Sequence, residues 1–219
     1  MSNRDWIGIA VKPAVHAACL IPAAWVVWAA FNDGLGANPV EAINRFLGDW
    51  ALRFLLIALA VTPLAKLGRM PWVMRLRRMI GLYAFFYVTL HLSSYIAIDQ
   101  GFDWLAVWKD IVKRVYITVG MVVFVLLLPL ALTSTRGWIK RLGNRRWKRL
   151  HWLVYPAAIG GVIHFYMMVK LDVREPLIYA AILALLLGWR AVVAWRKRHK
   201  KRKPGQGDPA PLLGDGQKV

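Results

Sequence analysis

Six stretches of about twenty apolar residues, each set off by charged or turn-forming segments, govern what this chain can fold into. They run from about Pro13 to Phe31, Leu47 to Leu67, Met79 to Ile98, Val115 to Thr133, His151 to Val169 and Pro176 to Trp195. A stretch of roughly 17 to 25 apolar residues is long enough to cross the ~30 Å hydrocarbon layer as a helix. Lipid offers the backbone no hydrogen-bond partner, so a span of that length must be helical, and the alternation that barrel strands need is missing. The expected fold is all-α, a bundle of six transmembrane helices. The chain is 58% hydrophobic and yet carries a formal charge of +19, with the apolar residues in blocks and the charges between them.

Orientation follows from where those charges fall. Lys66, Arg69, Arg75, Arg77 and Arg78 lie between the second and third stretches, and seven more cations from Arg136 to Arg149 lie between the fourth and fifth. A third cluster, Arg196 to Lys203, follows the sixth. The other connections are neutral or acidic, marked by Asp33, Glu41 and Asp49, by Asp99, Asp103 and Asp110, and by Asp172 and Glu175. The positive-inside rule puts both termini and the basic loops in the cytoplasm, as an even number of spans requires. Topology and attraction to anionic lipid account for the cations, so a nucleic-acid partner is not needed. Residues 1–12 read as a cytoplasmic lead-in, 13–195 as the membrane domain and 196–219 as a basic, disordered cytoplasmic tail. The first stretch is longer than a signal-peptide core and reads as a retained helix. No internal repeat is obvious.

The single cysteine, Cys19, excludes an intrachain disulfide, a four-cysteine iron–sulfur site and a covalently attached haem. The histidines are more informative. His91 lies 12 residues into the third stretch and His164 lies 13 into the fifth, both entered from the same side. At ~1.5 Å per residue they sit about 18 and 20 Å deep, level with one another in the outer half of the bilayer. An ionisable group at that depth is costly and points to a functional site with a partner. Two level imidazoles on facing helices can hold a haem iron from both sides, a cytochrome b type of site suited to electron transfer. An interhelical hydrogen bond is the plainer alternative for either residue alone.

His151 stands at the cytoplasmic mouth of the fifth stretch, where a second cofactor would lie. Thirteen residues of regular helix leave about 220° between it and His164, so it would share a face only if Pro156 or Gly160–Gly161 rephased the helix. His16 reads as interhelical or interfacial, and His199 as part of the solvated tail.

The segment RRMIGLYAFFYVTLH, ending at His91, and WKRLHWLVY from Trp147 to Tyr155, with His164 following, resemble the ferric-reductase-type transmembrane domain. The similarity covers residues 5 to 199 and is nearest to the haem-binding membrane subunits of bacterial protein-methionine-sulfoxide reductases. That resemblance implies a multi-pass protein of the bacterial inner membrane that binds haem b and FMN. It implies electrons taken from respiratory quinones and passed to a periplasmic molybdenum-cofactor subunit, MsrP, which reduces methionine sulfoxide. It also implies that His91, His151 and His164 are the haem-associated histidines, with His91 and His164 the axial ligands.

Around these, Arg77 and Arg78 could pair with a flavin phosphate and Trp147 could stack on a flavin or quinone ring, although topology and interfacial anchoring also explain all three. Arg53 is a candidate partner for a haem propionate, or snorkels to the interface. No nucleotide-binding strand and glycine loop is present, so an electron must arrive from quinol or a separate reductase and leave to a separate acceptor. A b-type subunit or ferric reductase serving another acceptor shares these features. A small transporter would need intramembrane carboxylate pairs that the spans lack.

Overall fold

The structure is a computed structural model that describes residues 7–169 and 171–202. The rest of the lead-in and the expected disorder after Lys203 lie outside the described residues. Every regular element among the described residues is helical. The helices are α1 (Lys12–Phe31), entered through a π turn Ile7–Val11, α2 (Pro39–Leu67), α3 (Arg77–Ser94), which continues as a π turn Tyr95–Asp99, and α4 (Trp104–Lys113). Then follow α5 (Val115–Leu132), α6 (Arg136–Leu150), α7 (Val154–Met168) and α8 (Arg174–Arg202). The chain forms two compact units, Met1–Leu186 and Leu187–Val219.

Among the described residues, five helices are long and apolar enough to cross a membrane: Ile9–Phe31, Pro39–Leu67, Arg77–Asp99, Val115–Leu132 and Arg174–His199. The fifth expected stretch is built differently. His151–Leu153 is a turn of 3-10 helix, and α7 that follows has 15 residues. Together they reach about 28 Å, close to the hydrocarbon thickness but through a shorter α-helix than its neighbours. The basic tail departs from expectation as well, because α8 continues through Arg196 to Arg202 as helix.

Local chemistry explains the boundaries. Pro39 opens α2 behind Asn38, whose side chain accepts from the Glu41 amide while its own amide donates to the Glu41 carboxylate at 3.1 Å. Asp103 caps α4 by accepting from Leu105 N and Ala106 N, each at 3.0 Å. Thr135 caps α6, which is kinked at Gly143, where φ is 71°.

The core of the first unit centres on α2, which buries eleven residues from Leu47 to Ala65. Its closest partner is α3, and α5 packs in the same way on α7. Tyr87 of α3 is fully buried and ties α1 to this core. Its hydroxyl donates to the Cys19 carbonyl at 2.8 Å and accepts from Ala23 N at 2.9 Å, bridging a pair that a regular helix would join directly.

Candidate functional site

His91 on α3 and His164 on α7 face one another, with ring centres 6.1 Å apart and ring planes crossing at 78°. Each ring is fixed by the helix packed against its own. His91 Nδ1 lies 2.8 Å from the carbonyl of Asn44 on α2, and His164 Nδ1 lies 2.7 Å from the carbonyl of Tyr116 on α5. A carbonyl only accepts, so Nδ1 carries the proton in both rings and the Nε2 lone pair is left for a ligand.

The helix packing that allows this contact depends on two glycines. A Cβ at Gly48 would come 3.1 Å from His91 Cε1, and a Cβ at Gly120 would come 2.9 Å from His164 Cε1. Each glycine stands one helical turn after the carbonyl that the ring engages. The arrangement Asn44–Gly48–His91 is therefore repeated as Tyr116–Gly120–His164, a local duplication that the sequence does not advertise.

Both rings line one cavity of about 510 Å³. Its walls are apolar, with Leu52, Leu55, Val88, Leu92, Phe124 and Leu127 among them, and its rim carries Glu41, Arg45, Asp49, Asp99 and Arg114. Arg45 lies 3.6 Å from Glu41, while Arg114 lies 3.1 Å from Asp110, which also accepts from the Tyr95 hydroxyl at 3.0 Å. Guanidinium groups at such a rim are suited to carboxylates of an incoming ligand. Arg53, the residue expected there, does not line the cavity. Its Nε–H donates to the Tyr179 hydroxyl at 2.8 Å and its guanidinium sits 5.1 Å over Trp50.

The donor set limits what the cavity can hold. Among the described residues no three His, Cys, Asp or Glu side chains come together as a metal site. Two imidazoles are too few for a bare zinc ion, which takes three or four protein ligands. They suit a metal that brings a planar macrocycle with its own nitrogens. Two imidazoles bonded to one metal at about 2 Å have ring centres about 6 Å apart, as these do, and the apolar slot between the helices has the volume of a drug-sized ligand. The residues therefore fit a haem.

The other predicted residues do not join this cavity. His151 rests on Trp147 with ring centres 3.9 Å apart and its Nδ1 3.1 Å from the Trp147 carbonyl. Trp147 in turn donates its indole N–H to the Thr133 carbonyl at 3.0 Å. Arg77 is within electrostatic range of His151, whereas its neighbour Arg78 lines a different groove with His16. The structure thus brings Trp147 and His151 together, with the Arg77 charge felt at His151, and places Arg78 in the other groove. His199 stacks near Trp195, with ring centres 4.5 Å apart.

Gly48, Gly120, Arg45 and Arg114 were missed by the sequence reading. The only signal available was a glycine inside an apolar helix, where it costs up to about 1 kcal/mol against alanine and so asks for a packing reason.

Comparison with known proteins agrees with this architecture. Residues 47–162 match the family described as ferric reductase like transmembrane component. A protein of Rhodospirillum rubrum named protein-methionine-sulfoxide reductase heme-binding subunit MsrQ is 55% identical over 93% of this chain and 97% of its own. Proteins of the same name from Xanthomonas oryzae pv. oryzae and Caulobacter vibrioides are each 49% identical, over 92% and 86% of this chain and 94% and 89% of their own. With an all-helical fold, helices of membrane-spanning length and this extent of identity, the chain belongs to the MsrQ family of ferric-reductase-like membrane proteins.

Proposed function

We propose that this protein is a haem b electron-transfer subunit of the bacterial inner membrane, which takes electrons from respiratory quinones and passes them to a periplasmic molybdenum-cofactor methionine sulfoxide reductase, MsrP. The observation that carries the reading is the His91–His164 pair: ring centres 6.1 Å apart, with both Nδ1 protons committed to backbone carbonyls. His91 and His164 are the axial ligands in this reading, and Arg45 and Arg114 hold the carboxylates at the rim. A haem held by these two residues would supply one-electron chemistry. The chain's own part is to hold the rings in the right tautomer, exclude water with the apolar walls and keep the rim charged. Reduction of the sulfoxide then takes place on the partner subunit.

His151, Trp147 and Arg77 form the second site, at the opposite end of α7 from His164, where a flavin mononucleotide or quinone would stack on the indole. Support comes from the stacking of His151 on Trp147, with ring centres 3.9 Å apart.

The test is a reduced-minus-oxidised absorption spectrum of the purified protein, with haem and flavin counted per chain. A b-type α-band is expected in the parent and in His199→Ala, and its loss in His91→Ala and in His164→Ala. A full low-spin spectrum surviving in both deep-histidine variants would reject the pairing. Absence of flavin from a sample rich in haem would confine the second site to quinone.

A further inference from the structure

A second cavity, of about 560 Å³, opens between α1 and the beginning of α3, away from the histidine pair. Its lining is ordered in the same sense along both walls. On α1 the groove meets Lys12, then His16 one turn deeper, then Leu20 another turn on; on the facing wall it meets Arg75, Arg78 and Met79, then Leu82 and Tyr83, then Phe86. The cations are confined to one end, the hydrogen-bonding pair lies in the middle, and the other end, at Leu20 and Phe86, is wholly apolar, with Met79 and Leu82 lining the wall between. The middle layer is already joined, with His16 Nδ1 2.9 Å from the Tyr83 hydroxyl.

Two further observations mark this groove as unfinished. Among the described residues, none of Lys12, Arg75 and Arg78 forms an ion pair of the kind that joins Arg45 to Glu41 or Arg114 to Asp110. Three cations sharing a groove without a counter-charge ask for an anion. In addition, α1 buries only Cys19, Pro22, Val26 and Ala29, so its first two turns bury nothing against the bundle.

We propose that this groove binds one anionic phospholipid, with the phosphate on Lys12, Arg75 and Arg78, the ester region against His16 and Tyr83, and the start of an acyl chain along Leu20 and Phe86. The amphiphilic order of the lining selects this occupant. A free phosphate has no use for the apolar end, and a neutral quinone none for the cations. The start of α3 adds the positive end of its helix dipole at Arg78. Basic pockets between membrane helices on the cytoplasmic side are a known form of headgroup site. The lipid would complete the packing of α1, and the inference stands apart from the haem reading.

The experiment is native mass spectrometry of the full chain released from neutral detergent, titrated with phosphatidylglycerol or phosphatidylcholine. Retention of one phosphatidylglycerol in preference to phosphatidylcholine is expected. The preference should fall about tenfold or more in Lys12→Gln/Arg75→Gln and persist in the charge-conserving Lys12→Arg/Arg75→Lys. Equal retention of the two lipids would overturn the proposal, as would a preference unchanged in the neutralised variant. Millimolar inorganic phosphate releasing the lipid would assign the cations to soluble phosphate, and FMN displacing it one for one would assign them to a flavin. Either result would also overturn it. Should the neutralised variant aggregate, Tyr83→Phe provides the second reading: it should retain less of either lipid than the parent, and undiminished phosphatidylglycerol retention there would remove the ester layer from the proposal and overturn it as stated.

Discussion

A ring that donates Nδ1–H to a fixed carbonyl cannot spin about its metal bond, so the angle between two such rings is set by the helices that carry the carbonyls. In this protein that angle is 78°. With a haem held between them as proposed, near-perpendicular imidazoles would leave the iron d orbitals closely spaced. The oxidised protein should therefore give a strongly anisotropic low-spin EPR signal with one large g value, and a rhombic signal of the parallel-ring kind would contradict the geometry. The glycine seats lead to a second expectation. A methyl at residue 120 arrives 2.9 Å from His164 and one at residue 48 arrives 3.1 Å from His91, so Gly120→Ala should displace its ring further than Gly48→Ala. Overpacking of this kind costs about 1–3 kcal/mol. The change would be read as an altered EPR spectrum and a lower melting temperature of the haem absorbance, and wild-type values in Gly120→Ala would refute it.

Depth along the membrane was legible from the sequence, because helical rise is the same for every residue, and so His91 and His164 could be matched before any coordinates. Direction around a helix was not. Arg53 lies five residues after Gly48, about 140° round α2 from the cavity face, which is why it meets Tyr179 while Arg45 reaches the rim. The glycine seats were hidden for a different reason. Close approach of two helices is a property of the pair: a glycine within one helix signals that something packs close, and does not say which residue of which helix does.

At the scale of elements, the long spans were legible because lipid forces them to be helices, whereas α4 and α6 sit in segments that read as loops. α4 is short, and its exposed apolar residues Trp104, Leu105, Trp108 and Val112 are 62 to 66% accessible. Flanking a span and presenting two tryptophans, it has the character of a helix lying in the membrane interface. Its order depends on its cap. Asp103→Ala removes both capping bonds at a cost of about 1 kcal/mol, and amide hydrogen exchange over residues 104–113 should speed up by several-fold while the exchange of α2 stays unchanged. Equal exchange in the two proteins would mean that tertiary contacts, and not the cap, hold α4.

For the whole molecule, the arrangement of basic and acidic loops makes a topology prediction that the short α7 puts to the test. Alkaline phosphatase fused after Gly36, Phe102 or Leu171 should be active, and fused after Arg69 or Gly143 inactive, if every helical stretch crosses. Activity at Phe102 with silence at Leu171 would show that α7 stops short of the outer surface and would place His164 in a re-entrant segment. The backbone acceptors of the two histidines carry one more implication. Because Asn44 and Tyr116 contribute their carbonyls to these two bonds, the identity of those residues is not what orients the rings. Substitutions there can accumulate in a lineage without disturbing the site, whereas a one-residue insertion between either carbonyl and the glycine one turn on would turn the carbonyl about 100° away from the ring. What heredity must preserve at these two places is spacing, and a comparison that weighs only residue identity will undervalue them.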